Sequence, residues 1–180
     1  MSNQGAVDAV AQAAPVNWSP TTNTAASDHG QLISFAIGDD QYGVDIMSVR
    51  EIKSWSAVNH LPGQPEYMRG VLNLRGVMVP IIDLRCRFGQ GLTEATPLHV
   101  VIIVQIDAQM VGLIVDQVSD IVSVDPSKVQ PVPQMAQQLR SCFLSGLLSL
   151  DDEMIALIDL PRLVTLTTIS DLNEEPLHAG

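Results

Sequence analysis

Two aspartates stand at matched places in similar stretches, Asp83 in VPIIDLRCRF and Asp159 in IALIDLPRLV. Two carboxylates held close share one proton, and such a dyad activates water for hydrolysis. The residues that follow, Leu84-Arg85 and Leu160-Pro161, are not the small, flexible pair that lets a dyad meet. Each aspartate also precedes a short apolar run, where a carboxylate caps a helix by accepting an orphan backbone N–H. Capping accounts for both residues more cheaply. A two-lobed acid hydrolase using Asp83 and Asp159 stays as the alternative from the enzyme class.

The other reactive side chains point away from catalysis. His29, His60, His99 and His178 fall at no metal-ligand spacing. Cys86 and Cys142 form no CxxC and have no neighbouring histidine to activate a thiolate. Two reduced thiols in a cytosolic protein is the plain reading, with a disulfide between them left open. No nucleotide-binding glycine pattern and no GxSxG is present, so neither cofactor nor metal is expected.

Glu51 in VREIKSW and Arg75 in GVLNLRGVMVPIIDL are of more interest. Arg75 stands alone between two short apolar runs, too isolated for a basic patch. An arginine fork binds carboxylates and its flat face stacks on apolar groups, which suits a protein interface. A pair with Glu51 reads either as a surface salt bridge of roughly 0–1 kcal/mol or as a device orienting Arg75 beside an apolar groove. The two readings are compatible.

These residues need a scaffold, and its periodicity is of strand type. QLISFAIGDDQYGVDI reads as two strands about a Gly-Asp-Asp turn, and RGVLNLRGVMVPIIDL as a hairpin turning at Arg75-Gly76. LHVVIIVQIDAQMVGLIVD turns near Asp107-Ala108, and LSGLLSLDDEMIALIDL at Asp151-Asp152. Pro80 predicts an edge or bulge. Short helices are predicted for GQPEYM, after Asp83, after Asp159, and in QMAQQLRSCF. Residues 1–30, polar and low in complexity, read as a flexible tail in which Trp18 is the odd residue, and 168–180 as an acidic tail.

The hairpins repeat. At an offset of 76, Gly70, Leu72, Leu74 and Met78 meet Gly146, Leu148, Leu150 and Met154, and Ile82-Asp83-Leu84 meets Ile158-Asp159-Leu160. At an offset of 69, Ile37, Gly43, Val49, Glu51 and Ile52 meet Ile106, Gly112, Val118, Asp120 and Ile121. Matched positions are candidates for the fold and differing ones for function. Two all-β units follow, 31–90 and 99–167, packed together and with strand sharing left open; small, strongly turned units suggest barrels. Arg75-Gly76 meets Asp151-Asp152, so the arginine is private to the first unit. Residues 31–90 hold six basic and six acidic side chains, and 99–167 three basic and eight acidic. The units thus offer different partners different electrostatic faces.

The formal net charge of −11 argues against nucleic acid or an anionic membrane as the main partner. The apolar runs, such as VVIIV at 100–104, are far short of the roughly 20 residues that span a bilayer. No secretory signal is seen, which fits a cytoplasmic protein without membrane insertion.

YGVDIMSVREIK, then RGVLNLRGVMVPIIDLR, then VVIIVQIDAQMVGLIVDQVSDIVSV resemble, in order across residues 31–167, the bacterial chemotaxis coupling protein family CheW. NLRG-x-x-x-P-x-x-DL is the most specific element. The resemblance implies two five-stranded SH3-like β-barrels around a hydrophobic core, and a scaffold without catalysis. It implies coupling of the cytoplasmic tip of methyl-accepting chemoreceptors to the regulatory domain of the histidine autokinase CheA, in membrane-associated arrays. By motif match, Val49, Glu51, Gly70, Asn73 and Arg75 would receive the receptor's helical hairpin tip, helix in groove. Tyr42, Gly43, Val44 and Ile46 would meet the kinase, and a looser contact through the other barrel would build rings. A coupler for pilus-based motility is the alternative within the family. The 30-residue N-terminal extension is longer than the family core needs, and no receiver or kinase domain follows in this sequence.

Overall fold

A computed structural model describes residues 30–133 and 141–165. Residues 1–29 of the predicted N-terminal tail with Trp18, the C-terminal tail and most of QMAQQLRSCF lie outside them, whereas Gly30 opens the first strand. The described elements are β1 (Gly30–Ile37), β2 (Asp40–Asp45), β3 (Val49–Ser54), β4 (Met68–Leu74), β5 (Val77–Asp83), α1 (Leu84–Arg87), β6 (Val100–Ile106), β7 (Gln109–Val115), β8 (Gln117–Val124), β9 (Val129–Gln130), β10 (Leu144–Leu150) and β11 (Glu153–Ile158). A second helix begins at residue 160. The fold is all-β, as expected. GQPEYM forms turns instead of a helix, because Gly63 takes a φ of +75° and the Pro65 carbonyl accepts the Met68 N–H.

The four hairpins turn where their residue types demand. Arg75 and Gly76 have φ of 51° and 85°, the paired positive angles whose twist suits adjoining strands. Asp107 and Asp151 take φ of 52° and 49° at the matching bends. Continuous apolar runs become interior strands: β1 and β7 are buried on both faces for most of their length, whereas edge strand β3 alternates.

The strands form two sheets. One runs β8-β1-β2-β11-β10-β9 and the other β3-β6-β7-β5-β4. Each inserts the first hairpin of one sequence repeat between strands of the other. β1–β2 sits between β8 and β11, and β6–β7 between β3 and β5. Sequence repeats and sheets therefore divide the chain differently. The two arrangements match residue for residue. Gly112 pairs with Ile81 across the parallel junction of β7 and β5, as Gly43 pairs with Leu157 across that of β2 and β11. Bulges recur at the same places: the register skips between Val49 and Glu51 as between Val118 and Asp120, and between Met68 and Gly70 as between Leu144 and Gly146.

The sheets agree with the SH3-like expectation but differ from two five-stranded barrels. β9 adds a sixth strand to one, and no ladder joins the edges β3 and β4 of the other. Pro80 is not at an edge. It opposes Val71, whose N–H and C=O both turn away to Asn59, and the ladder to β7 starts only at Ile81. Pro80 therefore deprives no ladder of a donor.

Three cores follow from strand alternation. Leu32, Val124, Leu148, Ile155 and Leu157 fill one curled sheet, and Val79, Ile81, Val101, Ile103 and Ile114 the other. A larger cluster, including Ile33, Phe35, Val44, Ile82, Ile102 and Leu113, joins their opposite faces. Through it runs an aromatic series in which Tyr42 stacks on Phe35 and Phe88, and Phe88 meets Phe143. The parallel junction is tight at its glycine: a Cβ on Gly112 would lie 2.4 Å from Ile81 Cδ1 and force that side chain to shift.

Candidate protein-binding site

The β4–β5 hairpin presents Arg75 at its tip. Asn73 Oδ1 accepts the Gly76 N–H at 2.8 Å, which fixes the turn and leaves the Asn73 side chain in structural use. Arg75 Nη2 lies 3.4 Å from Glu51 Oε2, with the arginine side chain 82% exposed and the glutamate 30%. β3 and β4 are opposite edges of one five-stranded sheet, so this pair bridges the seam where the sheet curls back on itself. The Asn59–Val71 backbone bridge, with N–H···O distances of 2.9 and 2.8 Å, crosses nearby to β4. Gly70 makes that approach feasible. Its φ is +137°, and a Cβ there would stand 2.2 Å from the Asn59 carbonyl oxygen. Gly70 is buried and seats the adjoining loop; Val49 is half-buried against the large core.

The structure thus brings Glu51, Asn73 and Arg75 together and assigns Gly70 and Val49 to their support. Sequence reasoning missed the exposed apolar side chains on the same elements: Ile52 on β3, and Val77 and Met78 on β5. Ile52 and Met78 match Ile121 and Met154 in the repeat, and matched positions were expected to serve the fold. All four are exposed instead.

The residues expected to meet the kinase sit deeper than those around Arg75. Tyr42, Gly43 and Val44 are buried, Tyr42 at 6% and Val44 at 1% exposure, and Ile46 packs partly on the large core. β2 lies between β1 and β11, which buries Gly43 and Val44, while Tyr42 keeps an edge in the neighbouring cleft. The nearby surface is a cleft of about 680 Å³ lined by Asp39, Asp40, Leu147, Asp152, Glu153 and Met154, among others.

Asp83 is fully buried and committed. Its Oδ1 accepts the Cys86 N–H at 3.2 Å and the Thr93 hydroxyl at 2.7 Å, its Oδ2 accepts the Thr93 N–H at 2.8 Å, and Arg69 approaches at 3.5 Å. It caps α1 and anchors the following loop. Asp159 Oδ1 accepts the Arg162 N–H at 3.0 Å, so it too caps a helix. Capping, and not a shared proton, accounts for both.

Asp116, absent from the sequence reading, is an electrostatic centre. It accepts the Gly38 N–H at 2.7 Å, a close hydrogen bond from Arg85 and, at 3.6 Å, the approach of His99 Nε2. Burial opposes its charge. The bonds from Gly38 and Arg85, with the charges of Arg85 and His99, outweigh that and hold its carboxyl below the usual range. Burial foremost, then the carboxylates of Asp83 and Glu66, raises the Cys86 thiol above its ordinary value, so it is a poor nucleophile. Among the described residues no group of three or more His, Cys, Asp or Glu could hold a metal ion, and no helix is long and apolar enough to cross a membrane.

Comparison with known proteins agrees with this geometry. The chain is 45% identical over 137 residues to a probable chemotaxis protein CheW of Rhizobium etli, covering 76% of this chain and 88% of that one. It is 42% identical over 130 residues to a chemotaxis protein CheW of Rhizobium meliloti, covering 72% and 84%. Its fold matches the crystal structure of the scaffolding protein TtCheW from Thermoanaerobacter tengcongensis with a TM-score of 0.68 and 32% identity, over 78% of this chain and 91% of that one. The CheW-like domain model matches residues 31–167. The match over residues 31–167 and these identities place it: the chain belongs to the CheW-like domain family of coupling and scaffolding proteins.

Proposed function

We propose that the chain is a non-catalytic cytoplasmic adaptor that couples methyl-accepting chemoreceptors to the histidine autokinase CheA and is recruited to membrane-associated receptor arrays. The receptor's helical tip docks beside Arg75, with Glu51 orienting the guanidinium, Ile52, Val77 and Met78 supplying apolar contact, and Asn73, Gly70 and Val49 holding the backbone. One observation carries this reading. Arg75 occupies a left-handed conformation that costs about 1 kcal/mol, yet its side chain is almost wholly in solvent and adds nothing to a core. Retaining an arginine there is explained by what it presents outward. The kinase's regulatory domain meets the first unit near Tyr42, Gly43, Val44 and Ile46, of which Tyr42 lines the cleft beside Asp39 and Asp40 and Ile46 is half-buried.

The test mixes the full chain with a chemoreceptor cytoplasmic fragment and CheA and measures autophosphorylation. Wild type should activate the kinase, and Arg75→Glu should not while still binding it. Activation by both proteins would remove Arg75 from the site. Activation by neither would reject the chemoreceptor as partner and favour another pathway.

A further inference from the structure

One half-buried cation serves neither proposed contact. Arg87, the last residue of α1, extends its guanidinium between two rings, with Cζ 4.5 Å from the centroid of Tyr67 and 4.7 Å from that of Phe143. A planar cation is attracted to the negative face of an aromatic ring and stacks on it. Its Nε is buried and meets no hydrogen-bond acceptor among the described residues. No carboxylate among them forms an ion pair with it, although Arg69, Arg75 and Arg85 each have one. Stacking between the rings therefore positions this side chain.

The two rings hold matching places in the repeat. The Tyr67 carbonyl accepts the Asp83 N–H at 2.7 Å, and the Phe143 carbonyl accepts the Asp159 N–H at 2.8 Å. Each ring stands at the base of a hairpin, Tyr67 directly before β4 and Phe143 directly before β10. The β4–β5 tip carries Arg75, and β10–β11 supplies Leu147, Asp152 and Met154 to the cleft that Tyr42 also lines. The hairpins belong to different sheets, and no ladder joins them. The cation itself occurs once: at the offset of 76, Arg87 meets the fully buried Leu163. Phe88, next in the chain, stacks on Tyr42 of β2 with centroids 5.0 Å apart and meets Phe143 at 6.1 Å. The turn that ends α1 thus touches the base of the Arg75 hairpin, the base of the cleft hairpin and a strand of the cleft.

We infer that Arg87 is the positioning residue through which the two protein contacts communicate. This rests on the chemoreceptor reading of the Arg75 surface. A partner docked beside Arg75 tilts the β4–β5 hairpin about its base and moves Tyr67 against the guanidinium. The stack then has two arrangements, engaged with both rings or with one, and an element of that kind is what two sites must both bias in order to be coupled. A hydrogen bond at this joint would weaken steeply with angle, whereas a flat cation slides between ring faces and stays in contact.

The experiment follows the Arg87 Nε–Hε resonance in the isotopically labelled full chain. Burial slows its exchange with water, and two flanking ring faces move it upfield of the other arginines. A chemoreceptor cytoplasmic fragment and the CheA regulatory domain are titrated in separate series. The receptor fragment should shift the amides of 49–54 and 70–78, the Arg87 signal and the amides of 143–154 with one midpoint, and the kinase domain should shift the same Arg87 signal. An Arg87 signal that stays still while 70–78 respond overturns the inference and leaves the receptor reading standing. No response at 70–78 rejects both. With both partners saturating, Arg87→Met should lower receptor-dependent activation of CheA by about fivefold or more, with each pairwise affinity kept. Arg87→Lys, which retains the charge between the rings, should recover part of it. Full activation by Arg87→Met would overturn the inference as well.

Discussion

Swapping the charges of Glu51 and Arg75 separates a structural ion pair from a binding residue. Two unit charges 3.4 Å apart attract by about 1.2 kcal/mol in a medium of water's dielectric constant. Ordering two long side chains offsets part of that, leaving less than about 1 kcal/mol for a pair this exposed. Arg75→Glu breaks the attraction and substitutes a like-charge contact of similar size, together less than about 2 kcal/mol, so the melting temperature should fall by less than about 8 °C. The double variant Glu51→Arg/Arg75→Glu rebuilds the pair in reverse and should melt within about 1 °C of wild type by the same scale. Receptor affinity should behave otherwise. A guanidinium at the centre of an interface contributes more than about 1.4 kcal/mol, a tenfold effect. Both the single and the double variant should therefore bind a chemoreceptor fragment at least tenfold more weakly by calorimetry, since neither presents positive charge at the hairpin tip. Recovery of affinity in the double variant would refute the reasoning, because it would mean that only closure of the seam matters.

Three other outcomes follow from buried and half-buried features. Gly112→Ala should destabilise the fold by about 1–3 kcal/mol through overpacking against Ile81 Cδ1, and Ile81→Val in the same chain should recover part of it; chemical denaturation reads both. Asp83→Ala should cost about 3–5 kcal/mol, since it strands the Arg69 charge and the Thr93 donors, and loop 88–99 should become protease-sensitive first. The folded-state pKa of Asp116 lies below its unfolded value, so its contribution is complete above the ordinary aspartate range and disappears as pH falls through the lowered value; Asp116→Asn should melt with a flatter acid limb than wild type.

Local features were legible in the chain. All four hairpin tips, at Gly38-Asp39, Arg75-Gly76, Asp107-Ala108 and Asp151-Asp152, were marked by residues that tolerate the bend, and both caps were marked by aspartate ahead of an apolar run. Pairing between distant strands was not, because β2 against β11 joins residues more than a hundred apart and leaves no local pattern. The same gap hid the burial of Tyr42 and Val44. An alternating strand reads as half-exposed, but insertion between β1 and β11 covers its second face as well. Asp116 went unnoticed because its partners, Gly38, Arg85 and His99, come from three separate segments. Glu51 and Arg75 were singled out because one was isolated among apolar residues and the other was its nearest plausible counter-ion. Their contact across a sheet seam needed coordinates.

The exchange of hairpins between the two sheets also sets the order of assembly. During synthesis β1 and β2 leave the ribosome first, yet the strands that flank them, β8 and β11, end at Val124 and Ile158. The first hairpin has to wait for β8 before its β1 edge is covered, and for β11 before its β2 edge is. The second sheet to be started is β3-β6-β7-β5-β4, and it is the first that can be finished. Long-range closure of this kind slows folding and couples the two cores into one cooperative event. A single cut in the chain therefore frees no intact barrel, and evolution could reshape one of them only with the other still attached.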